Sequence, residues 1–108
     1  MATTIAMKQL ANGALPSSKG TLYTSAAVTQ TLVKSIIVTN IGASPQTFNL
    51  YVDGSGTSRN IIPLNMALAA GYCMVFDDVI TLEAADKIEG DSTYPYNMDY
   101  LISGVTEA

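Results

Sequence analysis

The chain has 108 residues, 48% of them hydrophobic and only 13% charged, with a net charge of −4, no histidine and a single cysteine. Such a length suits one domain around one core, and the composition is far from that of a disordered chain. The five cations, Lys8, Lys19, Lys34, Arg59 and Lys87, are scattered, which argues against nucleic acid as a partner because phosphates are neutralised by clustered charge.

Residues 1–19 carry apolar Ile5, Met7, Leu10 and Leu15 but are broken by Asn12-Gly13 and Pro16. They are expected to form an extended N-terminal arm ahead of a domain spanning residues 20–108. The start lacks the basic and continuous apolar regions of a secretory signal. No apolar run approaches the ~20 residues that span a bilayer, so no membrane partner is expected. Ser17, Ser18, Lys19 and Gly20 read as a turn or hinge.

From Thr21 onward the pattern is that of strands. TLYTS is a first short one, and β-branched SIIVTN sits within a long central strand over about 32–40. Gly42, Ser44 and Pro45 then turn the chain into TFNLYVD, where Phe48, Leu50 and Val52 alternate with Thr47, Asn49 and Tyr51. These two runs are expected to pair as a hairpin. The Asp53–Gly56 loop, with Gly56 supplying a positive φ, leads into a strand over RNIIPL. Leu64–Gly71 has good helix formers but is short enough to read equally as extended. YCMVFD, Ile80–Leu82, DKIEG and MDYLISGV complete the set.

Short strands at such intervals predict an all-β fold, an antiparallel β-sandwich of immunoglobulin-like or jelly-roll-like type. The expected core is Ile36, Val38, Phe48, Leu50, Val52, Ile80, Leu82 and Ile102, with Met66, Met74 and Met98 as filler. Cys73, in the alternating run that puts Tyr72, Met74 and Phe76 on one face, is expected to be a small buried side chain.

The inventory for catalysis is poor. Without histidine there is no Ser-His-Asp or Cys-His arrangement, and one cysteine excludes a zinc knuckle. No phosphate-cradling glycine motif occurs. Asp77, Asp78, Glu83, Asp86, Glu89 and Asp91 form the densest acidic stretch, but Val79, Ile80 and Leu82 interrupt it at strand spacing, unlike a calcium-binding loop. The carboxylates read as turns and a solvated rim: Asp77–Asp78 as one turn, Ala84–Asp86 as another. No catalytic residue, metal or cofactor is assigned. Tyr94, Tyr96 and Tyr100 cluster in STYPYNMDY, where tyrosine suits protein or carbohydrate contacts.

The ordered set of VTN (Val38–Asn40), LYVDG (Leu50–Gly54), LAAG (Leu68–Gly71), ITLEAADKI (Ile80–Ile88) and ISGVTE (Ile102–Glu107) resembles small β-sandwich structural proteins of tailed-bacteriophage virions, over about residues 20–107. One departure is Ala85, where such a turn would carry glycine. The resemblance implies a non-enzymatic virion component, made in the host bacterial cytoplasm, that decorates a capsid or reinforces a head or neck joint. Its partners would be further copies of itself and other virion proteins. The alternative is a fibre or tail-tip module that recognises host glycan through the tyrosine-rich loop. Low surface charge agrees with a chain partly covered by neighbours. Interface candidates are Ile5, Met7, Leu10 and Leu15 of the arm and Tyr94, Tyr96 and Tyr100.

Overall fold

The computed structural model describes residues 5–26, 30–54, 56–94 and 97–107. They form ten strands: β1 (Ile5–Ala14), β2 (Gly20–Thr24), β3 (Gln30–Asn40), β4 (Gln46–Gly54), β5 (Thr57–Asn60), β6 (Met66–Leu68), β7 (Cys73–Phe76), β8 (Ile80–Leu82), β9 (Lys87–Ser92) and β10 (Met98–Glu107). Two antiparallel five-stranded sheets result. The first runs β1-β10-β3-β7, with β8 also on β3; the second runs β2-β9-β4-β5, with β6 also on β4. The fold is thus the expected β-sandwich, elongated to 52 × 26 × 20 Å. Within Leu64–Gly71 only Met66–Leu68 is extended, as β6, between turns at 64–65 and 70–71.

The two-residue alternation places the core. Ile36, Val38, Phe48, Leu50, Leu82 and Ile102 are fully enclosed, and Val52 and Ile80 pack against them half-buried. Met98 is fully enclosed, with Met66 and Met74 at the margin. β3 is central, paired on one side with β10 and on the other with β7 and β8. Where β3 and β10 shift register, between Ser103 and Gly104, a Cβ on Gly104 would run into the Leu32 carbonyl oxygen, so the close approach of backbones there demands glycine.

Three expectations are corrected. β3 and β4 are not a hairpin: they lie in different sheets, so residues 41–45 cross the end of the sandwich. Alternation specifies which face of each strand is buried, and either arrangement buries the same faces. The strand expected over RNIIPL stops at Asn60; Ile61 and Ile62 leave it and pack against the core. Asp77–Asp78 do not reverse the chain. β7 and β8 both run antiparallel to β3, on Thr39–Ile36 and Val33–Thr31, and so form one edge strand with an acidic interruption at 77–79. Charge and a break on an edge blunt its ability to recruit another strand.

The second sheet repeats the device. β5 and β6 lie in line along β4, separated by residues 61–65, where Asn65 adopts a left-handed φ of 55°. The segment expected as an arm supplies β1 in residues 5–14, an edge strand along β10 with a bulge at Leu10.

Ala85 adopts φ = 68°, the left-handed conformation at which the related turns would carry glycine. An L-residue there costs about 1–2 kcal/mol, against an entropic cost of roughly 0.5–1 kcal/mol for glycine. Ala85→Gly is therefore expected to stabilise the fold by about 0.5–1 kcal/mol in urea titration.

Candidate assembly surface

The two ends of the sandwich differ chemically. At one end Asp53, Gly56 and residues 83–87 border an open cavity of about 450 Å³, with Asp53, Glu83, Asp86 and Lys87 as its charged lining. Asp86 shapes its own turn: its Oδ2 accepts the Glu83 N–H at 3.1 Å, while its N–H donates to the Glu83 carbonyl at 3.1 Å. Ser25 ties this turn to β2, donating to the Asp86 carbonyl and accepting the Ala85 N–H. Asp77 and Asp78 stand apart, in the β7–β8 interruption. Among the described residues no three or more acidic, cysteine or histidine side chains are grouped to hold a metal ion.

At the other end Asn40 joins two loops, and its neighbour Ile41 a third. Its Nδ2 donates to the carbonyls of Ser44 and Leu68 at 3.0 Å each, and its Oδ1 accepts the Gly42 N–H at 2.9 Å. Its main chain bonds to Tyr72 and Gly71, and Ile41 N–H reaches the Asn97 carbonyl. The loops so gathered present Ile41 and Tyr72, both exposed. Nearby in the second sheet, Thr93 bonds Thr47 through main and side chains, and exposed Tyr94 borders an open pocket of about 330 Å³ with Pro45, Gln46 and Ala67. The buried Gln46 Oε1 has no hydrogen-bond partner among the described residues.

The outer face of the second sheet carries a polar array absent from the sequence reading. Asn49 and Tyr51 point away from the core, yet both are nearly buried. Asp91, opposite Asn49 on β9, accepts the Asn49 Nδ2 at 2.8 Å and the Tyr51 hydroxyl at 2.9 Å. Asn49 Oδ1 also accepts the Asn65 N–H at 2.8 Å, fixing the left-handed turn. Lys19 lies 4.0 Å above the centroid of the Tyr51 ring and donates to Ser58 Oγ at 3.3 Å, and Ser58 in turn donates to Glu89 at 2.8 Å. The expected hinge at 17–20 is thereby fastened to β4 and β5. Glu89 and Asp91, expected as rim charges, are the acceptors of this array.

Burial, then the Asp91 hydrogen bond and charge, then the Glu89 charge push the Tyr51 phenol up to about 12. A raised folded-state value means that the stabilisation is complete below the ordinary tyrosine value of 10.0 and is lost as pH rises towards 12. Alkaline difference spectroscopy is expected to show Tyr51 ionising late, together with unfolding, and earlier in Asp91→Asn.

The interface candidates fall into separate places. Leu15 is fully enclosed in its own core and Leu10 packs at the core margin. Ile5 and Met7 lie in β1 opposite Glu107 and Val105, and their side chains are outside the described set, as is Tyr96. Tyr94 is exposed, whereas Tyr100 is half-buried against β1, where burial raises its phenol. A Cβ on Gly13 would approach the Tyr100 Oη to 3.2 Å. Tyr94 and Tyr100 therefore do not share one exposed surface.

Cys73 corrects a further expectation: it is exposed. Both phases of the CMVF alternation are apolar, and the structure turns Met74 and Phe76 inward and Cys73 and Val75 outward. Val75 lies opposite Ile37 of β3, which lies opposite Leu101 of β10. A row of apolar side chains thus crosses the outer face of the first sheet, with Leu32 beside Val105 farther along. This row is the signal that the sequence held without revealing which strands were neighbours.

No protein-family model matches the sequence, and no curated protein matches it. Solved structures do. A subunit of the Bacillus endospore appendages, described as a novel family of disulfide-linked pili, is 14% identical with a TM-score of 0.56, over 98% of this chain and 89% of that one. VP2 of infectious bursal disease virus, from a subviral particle, is 13% identical with a TM-score of 0.54, over 97% of this chain and 32% of that one. The Gx strain of the same virus gives 12% identity and a TM-score of 0.52, over 98% and 31%. This chain spans about a third of the viral ones. At such identities the likeness is one of fold: this sandwich also builds an appendage subunit and one part of a viral particle protein.

Proposed function

We propose that the protein is a non-enzymatic structural subunit that works by assembling with copies of itself and with neighbouring proteins of a virion. The observation that carries this reading is the distribution of apolar side chains. Ile41, Leu64, Tyr72, Val75, Val79 and Tyr94 are each more than half exposed on a chain with few charges. Large exposed apolar groups of this kind favour burial against a partner. Fold likeness to a pilus subunit and a viral particle protein agrees with it, and the resemblance to tailed-phage sandwich proteins refines it to capsid decoration or head–neck reinforcement. Purified protein is expected to co-sediment with capsids in many copies per particle. A chain that stays monomeric at high concentration and binds no capsid would overturn the reading.

In this proposal β1, the outer part of the arm over residues 1–19, separates from its own sandwich, while Leu15 and Lys19 stay anchored to it. β1 is a ten-residue edge whose bonds to β10 could equally be made to a neighbour's β10, the chain pivoting at Ala14, just ahead of the anchored Leu15. Deleting residues 1–14, which spares Leu15, is expected to leave a folded domain that no longer assembles. Failure of that variant to fold would make β1 an obligatory strand of its own subunit.

The second reading, glycan recognition, rests on Tyr94 beside its open pocket with the Thr47 and Thr93 hydroxyls. Glycan-array binding lost in Tyr94→Ala would favour it over assembly.

A further inference from the structure

The outer face of the first sheet is apolar at its middle and carries opposite charges at its two ends. The central row is Val75, Ile37 and Leu101, in register across β7, β3 and β10. Lys34 is exposed at the register shift of β3 and β10, and Asp99 is exposed opposite Thr39 at the far end. They are the only charged side chains described on this face within the strands; Asp77 and Asp78 stand at its rim. Lys34 and Thr39 are five residues apart on β3, about 17 Å at strand rise.

We infer that this face pairs with the same face of a second copy of the chain, about a two-fold axis lying in the interface and running along the Val75–Ile37–Leu101 row. This deepens the assembly reading above and rests on it. The choice of a second copy follows from the charges. An axis across the strands turns one end of the face onto the other, so each copy's Lys34 meets the opposing copy's Asp99, and the pair occurs twice. The apolar row falls on itself at the centre, where residue Ile37 stacks on its own equivalent. Sheets packed this way stand about 10 Å apart, within reach of an extended lysine.

The area is consistent with such a role. Four strands at ~4.8 Å spacing and eight residues at ~3.3 Å rise give roughly 500 Å² per copy, or about 1,000 Å² in all, the lower limit for a specific contact. One pair of copies therefore associates weakly, and the contact becomes firm only when repeated with others in an assembly.

The test is sedimentation velocity of the full chain over a concentration series, with thermal melts to confirm folding. Wild type is expected to form a dimer. Lys34→Asp and Asp99→Lys each place like charges together twice and are expected to weaken the dimer roughly tenfold or more. The double variant K34D/D99K restores the pairing and is expected to return to near wild-type affinity. Leu101→Asp is expected to be monomeric. Indifference of both single variants, or a double variant no stronger than the singles, would overturn the inference. If Leu101→Asp still builds regular assemblies by electron microscopy, this face is not used while the assembly reading stands. If wild type neither dimerises nor assembles, both fall.

Discussion

Replacing Asn40 by leucine is expected to lower the unfolding free energy by about 3 kcal/mol, although the two side chains share the same branched outline of four heavy atoms. Asn40 is fully buried at the end of β3 and makes three side-chain hydrogen bonds, to Ser44, Leu68 and Gly42. Leucine would leave two carbonyls and one N–H without their partner. Each such group costs about 1–3 kcal/mol when it stays buried, and less where water can reach it. These lie at the end of the sandwich, which keeps the sum near the lower bound. For a domain of this size, each kcal/mol is worth about 4–8 °C in melting temperature, so the effect is readily measured. The same change is expected to loosen the loops bearing Ile41 and Tyr72, seen as faster amide exchange there. A loss below about 1 kcal/mol would show that the main-chain bonds of Asn40 to Tyr72 and Gly71 hold this end unaided.

Leu50→Ala is expected to cost about 2–5 kcal/mol in urea unfolding, with an unchanged denaturant slope. Leu50 is fully enclosed on the inner face of β4, the strand that pairs with β9 on one side and with β5 and β6 on the other. Truncation removes three buried carbons and opens a cavity that strands bonded on both sides cannot close. Against the 5–15 kcal/mol typical of a whole domain this is a large fraction, and it distinguishes β4 from the edges. A cost under about 1 kcal/mol would mean that the site collapses freely, contrary to the packing described.

The edges explain how a sandwich with so little charge avoids indiscriminate pairing. Each sheet has one interrupted edge, β7/β8 broken by Asp77 and Asp78 and β5/β6 broken by residues 61–65. β2 is only five residues long. β1, ten residues long, is the edge left most able to take part in strand exchange. Contacts through the β1 edge and through the outer face of the same sheet use different surfaces, so both can operate in one assembly.

Strand positions and the inward phase of most strands were determined by the sequence itself. Phe48, Leu50 and Val52 alternate with polar neighbours, and Ile80 and Leu82 with Thr81, so only one assignment buries the apolar side chains. Gly56, with φ = 84°, was readable from turn chemistry for the same local reason, whereas the left-handed conformation of Ala85 was pointed to only by the resemblance, in which that position carries glycine. Pairing between distant strands was not. Whether β3 joins β4 or crosses to the other sheet, and whether Asp77–Asp78 turns the chain or merely interrupts an edge, leaves every local preference equally satisfied. Cys73 was misplaced because CMVF is apolar in both phases, and only the position of β7 at the edge exposes one of them. Asn49, Tyr51 and Asp91 look like ordinary outward polar residues until β9 lies beside β4 and places acceptor against donor across some forty positions. The apolar row of Val75, Ile37 and Leu101 comes from three strands far apart in the chain, and only the tertiary structure, by setting their register, makes it a surface.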